Sequence, residues 1–222
     1  EEMGRAYRQD WNIGPITQAI PIDFDRTENA DLRKTLLAFL DKEFAVKPVS
    51  VADKEGIETK HFLDSLTCLM ALDPSTAPRS LIDVGTGAGF PGIPLKVMLP
   101  QMRLTLVESI QKKAGFCAHV VERLGLRQVQ VLAERAEDVG QDPNHRESYD
   151  LATARAVAAM PTLVEYLLPL VRIGGLVIMQ KGESAQLEAL KSEKVIQRLG
   201  GKIRVILPVE LPGVADERYL VV

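Results

Sequence analysis

Leu81-Ile82-Asp83-Val84-Gly85-Thr86-Gly87-Ala88-Gly89-Phe90-Pro91-Gly92 is the stretch that decides the fold of this 222-residue chain. A short apolar run ends in an acid, enters a glycine-rich turn and leaves it in a helical pattern whose first turn carries a proline. Glycines let the backbone turn tightly and let a ligand approach the main chain, and Pro91 suits the first helical position. Turns of this kind bind nucleotide-like cofactors at the carboxyl ends of parallel strands.

Outward from that turn, strands and helices alternate, which signals a parallel sheet with crossover helices. The strands read as Ser80–Val84, Arg103–Glu108, Gln128–Ala133, Tyr149–Arg155, Leu176–Gln180, Lys202–Leu207 and Arg218–Val222. The helices read as Pro91–Leu99, Gln111–Leu124, Pro161–Leu170 and Ser184–Leu199, with Gly125 and Gly200-Gly201 as stop signals. Pro208 and Pro212-Gly213 suit an antiparallel hairpin at one sheet edge. The expected architecture is α/β and Rossmann-like, a seven-stranded, mainly parallel sheet over residues 73–222. Residues 1–72 read as an N-terminal arm and helical cap: an irregular stretch to residue 30, a helix at Asp31–Phe44, a loop to Gly56 and a helix at Glu58–Leu72.

Composition sets the outer limits. Hydrophobic residues make up 46% and charged residues 26%, ordinary for a soluble domain. No apolar run approaches the roughly 18 residues of a membrane span, and no secretory signal is read at the start, so the cytoplasm is expected. The net charge of −3 argues against a basic nucleic-acid coat and leaves room for a local basic face. Cys68 and Cys117 read as two buried free thiols, and the scattered His61, His119 and His145 argue against a metal site.

Two cofactor classes compete for the turn. Gly87, Gly89 and Gly92 fit the GxGxxG dinucleotide fingerprint. Asp83 at the strand end speaks against it, because a carboxylate repels a pyrophosphate and attracts the sulfonium and ammonium of S-adenosylmethionine. Glu108, closing the next strand, stands about 20 residues on, where an acid accepts both ribose hydroxyls of either cofactor. Arg135-Ala136-Glu137-Asp138 follows the third strand, where such sheets border an adenine. An S-adenosylmethionine-binding module without turnover and an NAD-dependent oxidoreductase stay open as alternatives.

Six segments carry a closer resemblance: Lys60-His61-Phe62-Leu63-Asp64-Ser65-Leu66, the Asp83–Gly92 turn, Arg135-Ala136-Glu137, Ala154-Arg155-Ala156-Val157-Ala158, Lys181-Gly182, and Glu217-Arg218-Tyr219-Leu220-Val221-Val222. With them the chain resembles the glucose-inhibited division protein B family of class I methyltransferases, which modify a guanine N7 in 16S ribosomal RNA. The resemblance implies S-adenosylmethionine as methyl donor and 16S ribosomal RNA or the small subunit as partner, with no metal, no membrane and a monomeric enzyme. It also implies that Gly85, Phe90, Ala136, Glu137 and Arg155 line the cofactor pocket, beside Asp83, Gly87, Gly89 and Glu108.

His61, Asp64 and Ser65 share a helix face by spacing and invite a hydrolase-triad reading. Triads are assembled from separated elements, so a polar cluster bracing the pocket is the better expectation. Lys112, Lys113, Arg123, Arg127, Arg135 and Arg218 are basic residues available for phosphate contacts, each by itself read as a solvated charge. Arg155 and Lys181 differ: each ends a strand among apolar or small residues, where a charge needs a partner. They are the expected catalytic residues, orienting the guanine or a neighbouring phosphate, and neither is read as a general base.

Overall fold

The computed structural model describes residues 58–222 apart from Pro74 and Pro212. The arm, the Asp31–Phe44 helix and the loop to Gly56 lie outside the described residues. Seven strands form one sheet in the order β3-β2-β1-β4-β5-β7-β6. They are β1 (Ser80–Val84), β2 (Arg103–Val107), β3 (Val129–Leu132), β4 (Tyr149–Arg155), β5 (Val171–Lys181), β6 (Ile206–Val209) and β7 (Arg218–Val221). β1 to β5 run parallel, and β7 lies antiparallel between β5 and β6. The helices are α1 (Gly92–Met98), α2 (Gln111–Arg123), α3 (Ala136–Val139), α4 (Met160–Leu167) and α5 (Ala185–Arg198).

Alternation along the strands builds two cores. Leu81, Leu104, Leu106 and Leu151 face one side with Leu95 of α1, Cys117 and Val120 of α2, and Phe62, Leu66 and Leu69. Ile82, Val84, Val107 and Ala152 face the other with Leu163 of α4 and Ile196 of α5. Residues 58–71 are one continuous helical segment of π, α and 3-10 turns, and they bury their apolar side in the sheet's own core.

Most elements fall where the sequence places them, and the differences have local causes. β5 starts five residues before the expected Leu176, because Gly174 (φ +78°) and Gly175 let the strand continue through an irregularity in its pairing with β4. β6 is displaced to Ile206–Val209 and contains Pro208, which costs little on an edge strand that, among the described residues, pairs with β7 alone. Pro91 stands at the N-cap of α1, after a cis Phe90–Pro91 peptide bond.

After β1 the chain steps to β2 and β3 on one side, then crosses to β4 and β5 on the other. That makes the gap between the carboxyl ends of β1 and β4 the topological switch point, where such sheets open a crevice for ligands. The glycine turn leaves β1 at this gap, and Ala156 and Val157 leave β4 beside it.

Candidate active site

The turn is held by β2 and by its own acids. Gly85 N and Thr86 N both donate to Val107 O, at 2.8 and 3.1 Å. Glu108 is buried and ties the turn to the next helix: Gly87 N donates to its Oε2 at 3.0 Å and Ile110 N to its Oε1 at 2.9 Å. A carboxylate has about four acceptor sites, so roughly two remain for hydroxyl donors. Below the turn, Cys117 Sγ donates to Gly87 O at 3.3 Å, and Cys68 and Cys117 are both free and buried.

The three glycines assigned to the ligand sort themselves by direction. A Cβ at Gly85 would meet Val157 Cγ2 at 2.5 Å, and one at Gly89 would run into Ile93, so both positions serve close packing. Gly87, at φ +61°, opens onto empty space. That space, beside Glu108 and the 51% exposed Ile110, is a cradle a side chain would fill, and it fits a nucleoside-bearing cofactor.

Asp83 sits differently from the expectation. It is 0% exposed, with Oδ2 accepting from Thr86 Oγ1 (2.6 Å) and Gly92 N (2.8 Å), so its carboxylate braces the turn from inside. Oδ1 is buried without a partner, and burial pushes the carboxyl from 3.8 up to about 7. Between those values the folded chain holds a proton that the unfolded chain has released. The stability from this group is therefore full below 3.8 and is lost as pH rises through about 7. Asp83→Asn keeps an oxygen acceptor and stays neutral. The drop in melting temperature of the unliganded protein between about pH 5 and about pH 8.5 should shrink in this variant, as followed by circular dichroism. An identical drop in both proteins would show that Asp83 does not titrate there.

Phe90 is clamped between the helical segment and β4. His61 stacks on it (centroids 5.4 Å apart, 30°), Phe62 meets it edge-on (5.1 Å, 86°), and the Arg155 guanidinium lies 5.3 Å from its centroid. Arg155 finds the partner its context demands: Nη1 donates to Asp64 Oδ2 at 2.8 Å and to the His61 carbonyl at 3.4 Å. Lys181 finds Glu188 Oε2 at 2.7 Å and the Ala158 carbonyl at 3.0 Å. Ser65 Oγ donates to the His61 carbonyl at 2.5 Å, away from any imidazole nitrogen, and Asp64 is committed to Arg155, so the three make no triad. Burial, followed by the charges of Arg155, Arg218 and Lys60, pushes His61 down from 6.5 to about 4.

Ala136 and Glu137 open α3 after β3. Ala136 is half-buried, whereas Glu137 is exposed and accepts from Tyr166 of α4 at 3.0 Å. Beside the switch point, at the ends of β4, β5 and β7, lies a cavity of about 210 Å³ walled by Arg155, Gln180, Lys181, Arg218, Asp64 and Glu188. Arg155 and Lys181, read separately from the sequence, therefore meet at one cavity. Gln180 carries no assignment from the sequence; the signal for it was a polar residue closing the apolar Val177-Ile178-Met179 run. Among the described residues no three His, Cys, Asp or Glu side chains gather as a metal site.

Residues 35–210 match the family described as GidB, rRNA small subunit methyltransferase G. The chain belongs to that family. Two curated members illustrate the likeness, both named ribosomal RNA small subunit methyltransferase G. The protein of Roseiflexus sp. (strain RS-1) is 52% identical over 177 residues, covering 80% of this chain and 74% of its own. That of Pelotomaculum thermopropionicum is 45% identical over 183 residues, covering 82% and 76%. Solved structures agree on the fold. A precorrin-6y C5,15-methyltransferase from Geobacter metallireducens GS-15 superposes with a TM-score of 0.55 at 14% identity, covering 82% of this chain and 94% of its own. A SAM dependent methyltransferase from Aquifex aeolicus gives 0.55 at 16% identity, covering 76% and 92%. Family membership makes the chain a methyltransferase that uses S-adenosylmethionine, so the dinucleotide reading of the glycine turn falls away.

Proposed function

We propose that this protein transfers the methyl group of S-adenosylmethionine to N7 of a guanine in 16S ribosomal RNA. The observation that carries the reading is the place of Arg155, whose guanidinium lies 5.3 Å from the ring of Phe90 in the glycine turn and which also walls a cavity with three cations against two carboxylates. The bound cofactor supplies an electrophilic methyl on a sulfonium. Glu108 receives its ribose, the open face at Gly87 takes its body, and the turn at Ala136-Glu137 borders its adenine. Asp83, Gly85, Gly89 and Phe90 hold the shape of that pocket, the first by bracing the turn. Arg155 and Lys181, each held by a carboxylate, orient the guanine or a neighbouring phosphate.

Guanine N7 carries an in-plane lone pair, so no proton is removed before attack. Catalysis is positioning, which supplies a large part of a barrier reduction when the reacting atoms are held in line. No helix among the described residues is long and apolar enough to cross a membrane, and the enzyme is proposed to act as a cytoplasmic monomer. Incubation with radiolabelled S-adenosylmethionine and unmodified small-subunit RNA, followed by nucleoside analysis, tests the reading. The label is expected in 7-methylguanosine; label in another nucleoside, or none, overturns it.

The same chemistry sets a pH profile. His61, at about 4, is neutral far below neutrality. At saturating cofactor the single-turnover rate should be nearly flat from about pH 6.5 to about pH 9. A tenfold rise across that window that disappears in His61→Ala would show that a general base is needed, and the N7 target would give way to an exocyclic amine or a ribose hydroxyl.

A further inference from the structure

We infer that the cavity at the ends of β4, β5 and β7 seats the target base, and that Gln180 and Arg218 recognise it as guanine by its N1–O6 edge. This rests on the reading of the protein as a guanine methyltransferase. Gln180 is 7% exposed, at the next-to-last position of β5. Its Nε2 donates to the Asp64 carbonyl at 2.7 Å and lies 3.5 Å from Thr67 Oγ1. A carbonyl only accepts, and the Thr67 hydroxyl hydrogen already goes to that same carbonyl at 2.6 Å. The amide nitrogen therefore faces Asp64 and Thr67, and both of its hydrogens are used there. Oε1 is left as an acceptor without a protein partner, in a side chain that lines the cavity.

Arg218, at the start of β7, lines the same cavity. Its Nη1 leans on Asp64 Oδ1 at 3.7 Å, while its Nε is a buried donor without a partner. The side chains that carry this acceptor and this donor, each fixed in kind, both wall a space of about 210 Å³, and buried polar groups left unmade are costly. An edge with a donor beside an acceptor satisfies both. Guanine offers N1–H to Oε1 and O6 to the Arg218 Nε–H. Adenine and cytosine present the reverse pair, an unprotonated ring nitrogen beside an amine, and are refused at both contacts. Uracil carries the right pair but has no N7 to methylate. With this edge engaged at β5 and β7, the imidazole ring is the part left free to face β4 and the glycine turn beyond it.

A substrate comparison tests the assignment. The wild-type enzyme first maps the methylated guanine in unmodified small-subunit RNA. RNA is then ligated with guanine or 2-aminopurine at that position; 2-aminopurine keeps N7 but lacks O6 and has an unprotonated N1. Wild type should prefer guanine by at least about hundredfold in kcat/KM, because the wrong edge leaves both buried groups unpaired. In Gln180→Leu that preference should shrink by about tenfold or more, whereas a merely structural role would slow both substrates alike and leave the ratio unchanged. Affinity for S-adenosylhomocysteine reports whether the variant is folded. If Gln180→Leu does not bind it, Arg218→Met, altered at a side chain 25% exposed, undergoes the same comparison. An unchanged ratio in the folded variant, with 7-methylguanosine still formed by wild type, overturns the assignment alone. Failure of wild type to form 7-methylguanosine overturns the functional reading and this inference with it.

Discussion

Gly87→Val is expected to weaken binding of S-adenosylmethionine and S-adenosylhomocysteine by more than about hundredfold, which is about 2.8 kcal/mol. The residue sits at φ +61°, and a Cβ there points into space clear of protein atoms within 4 Å. The new Cβ has nothing in the fold to collide with, so the side chain extends into the room left for the cofactor. Left-handed backbone for a side-chain-bearing residue adds about 1–2 kcal/mol of strain, so the melting temperature should fall modestly while binding disappears. Gly92→Ala provides the contrast. Its Cβ would stand 2.6 Å from Leu106 Cδ2 and 2.8 Å from Asp83 Oδ2, so overpacking of about 1–3 kcal/mol should destabilise the fold itself. Calorimetric titration with S-adenosylhomocysteine, paired with thermal unfolding, separates the two. Unchanged affinity in Gly87→Val would mean that the cofactor does not lie against this turn.

Arg155→Ala should abolish turnover and also cost stability. The side chains of Arg155 and Asp64 are 16% and 4% exposed, and removing the arginine leaves the aspartate buried with Arg218 at 3.7 Å as its nearest ion-pair partner. Breaking a buried pair by deleting one member costs about 3–5 kcal/mol. The pair joins the helical segment 58–71 to the end of β4, so the loss should appear first as loosening of that segment in hydrogen exchange. Asp64→Ala combined with Arg155→Ala should cost less than the sum of the single changes, because the stranded charge is gone. A stability loss under about half a kcal/mol for Arg155→Ala, the range of an ordinary surface charge, would show that the ion pair holds nothing.

That outcome bears on how far the chain could be read without its fold. The demand for a partner at Arg155 and Lys181 was legible, since a charge closing an apolar strand must be compensated wherever it lies. Which partner was not legible. Asp64 is 91 positions from Arg155 along the chain, and only the docking of segment 58–71 onto the sheet end brings them together. Glu188 reaches Lys181 because α5 packs beneath the end of β5. The direction of Asp83 was equally hidden. The same strand-end position serves a carboxylate that faces a ligand and one that turns inward to hold Thr86 and Gly92, and the folded turn takes the second arrangement.

Local patterning by itself determined the strands and helices around the glycine turn, because alternation, helical spacing and glycine stops are properties of neighbouring residues. β5 and β6 escaped it, because a Gly-Gly pair can carry a strand through an irregularity in its pairing and a proline is tolerated on an edge strand. The glycine turn and the acid that follows β2 marked the proposed cofactor site from sequence alone, since their spacing is set by one strand–turn–helix unit. The base-sized cavity belongs to the tertiary structure. Its walls come from the helical segment, β4, β5 and β7, and the hydrogen-bonding sense of Gln180 exists only once the Asp64 carbonyl stands in front of it.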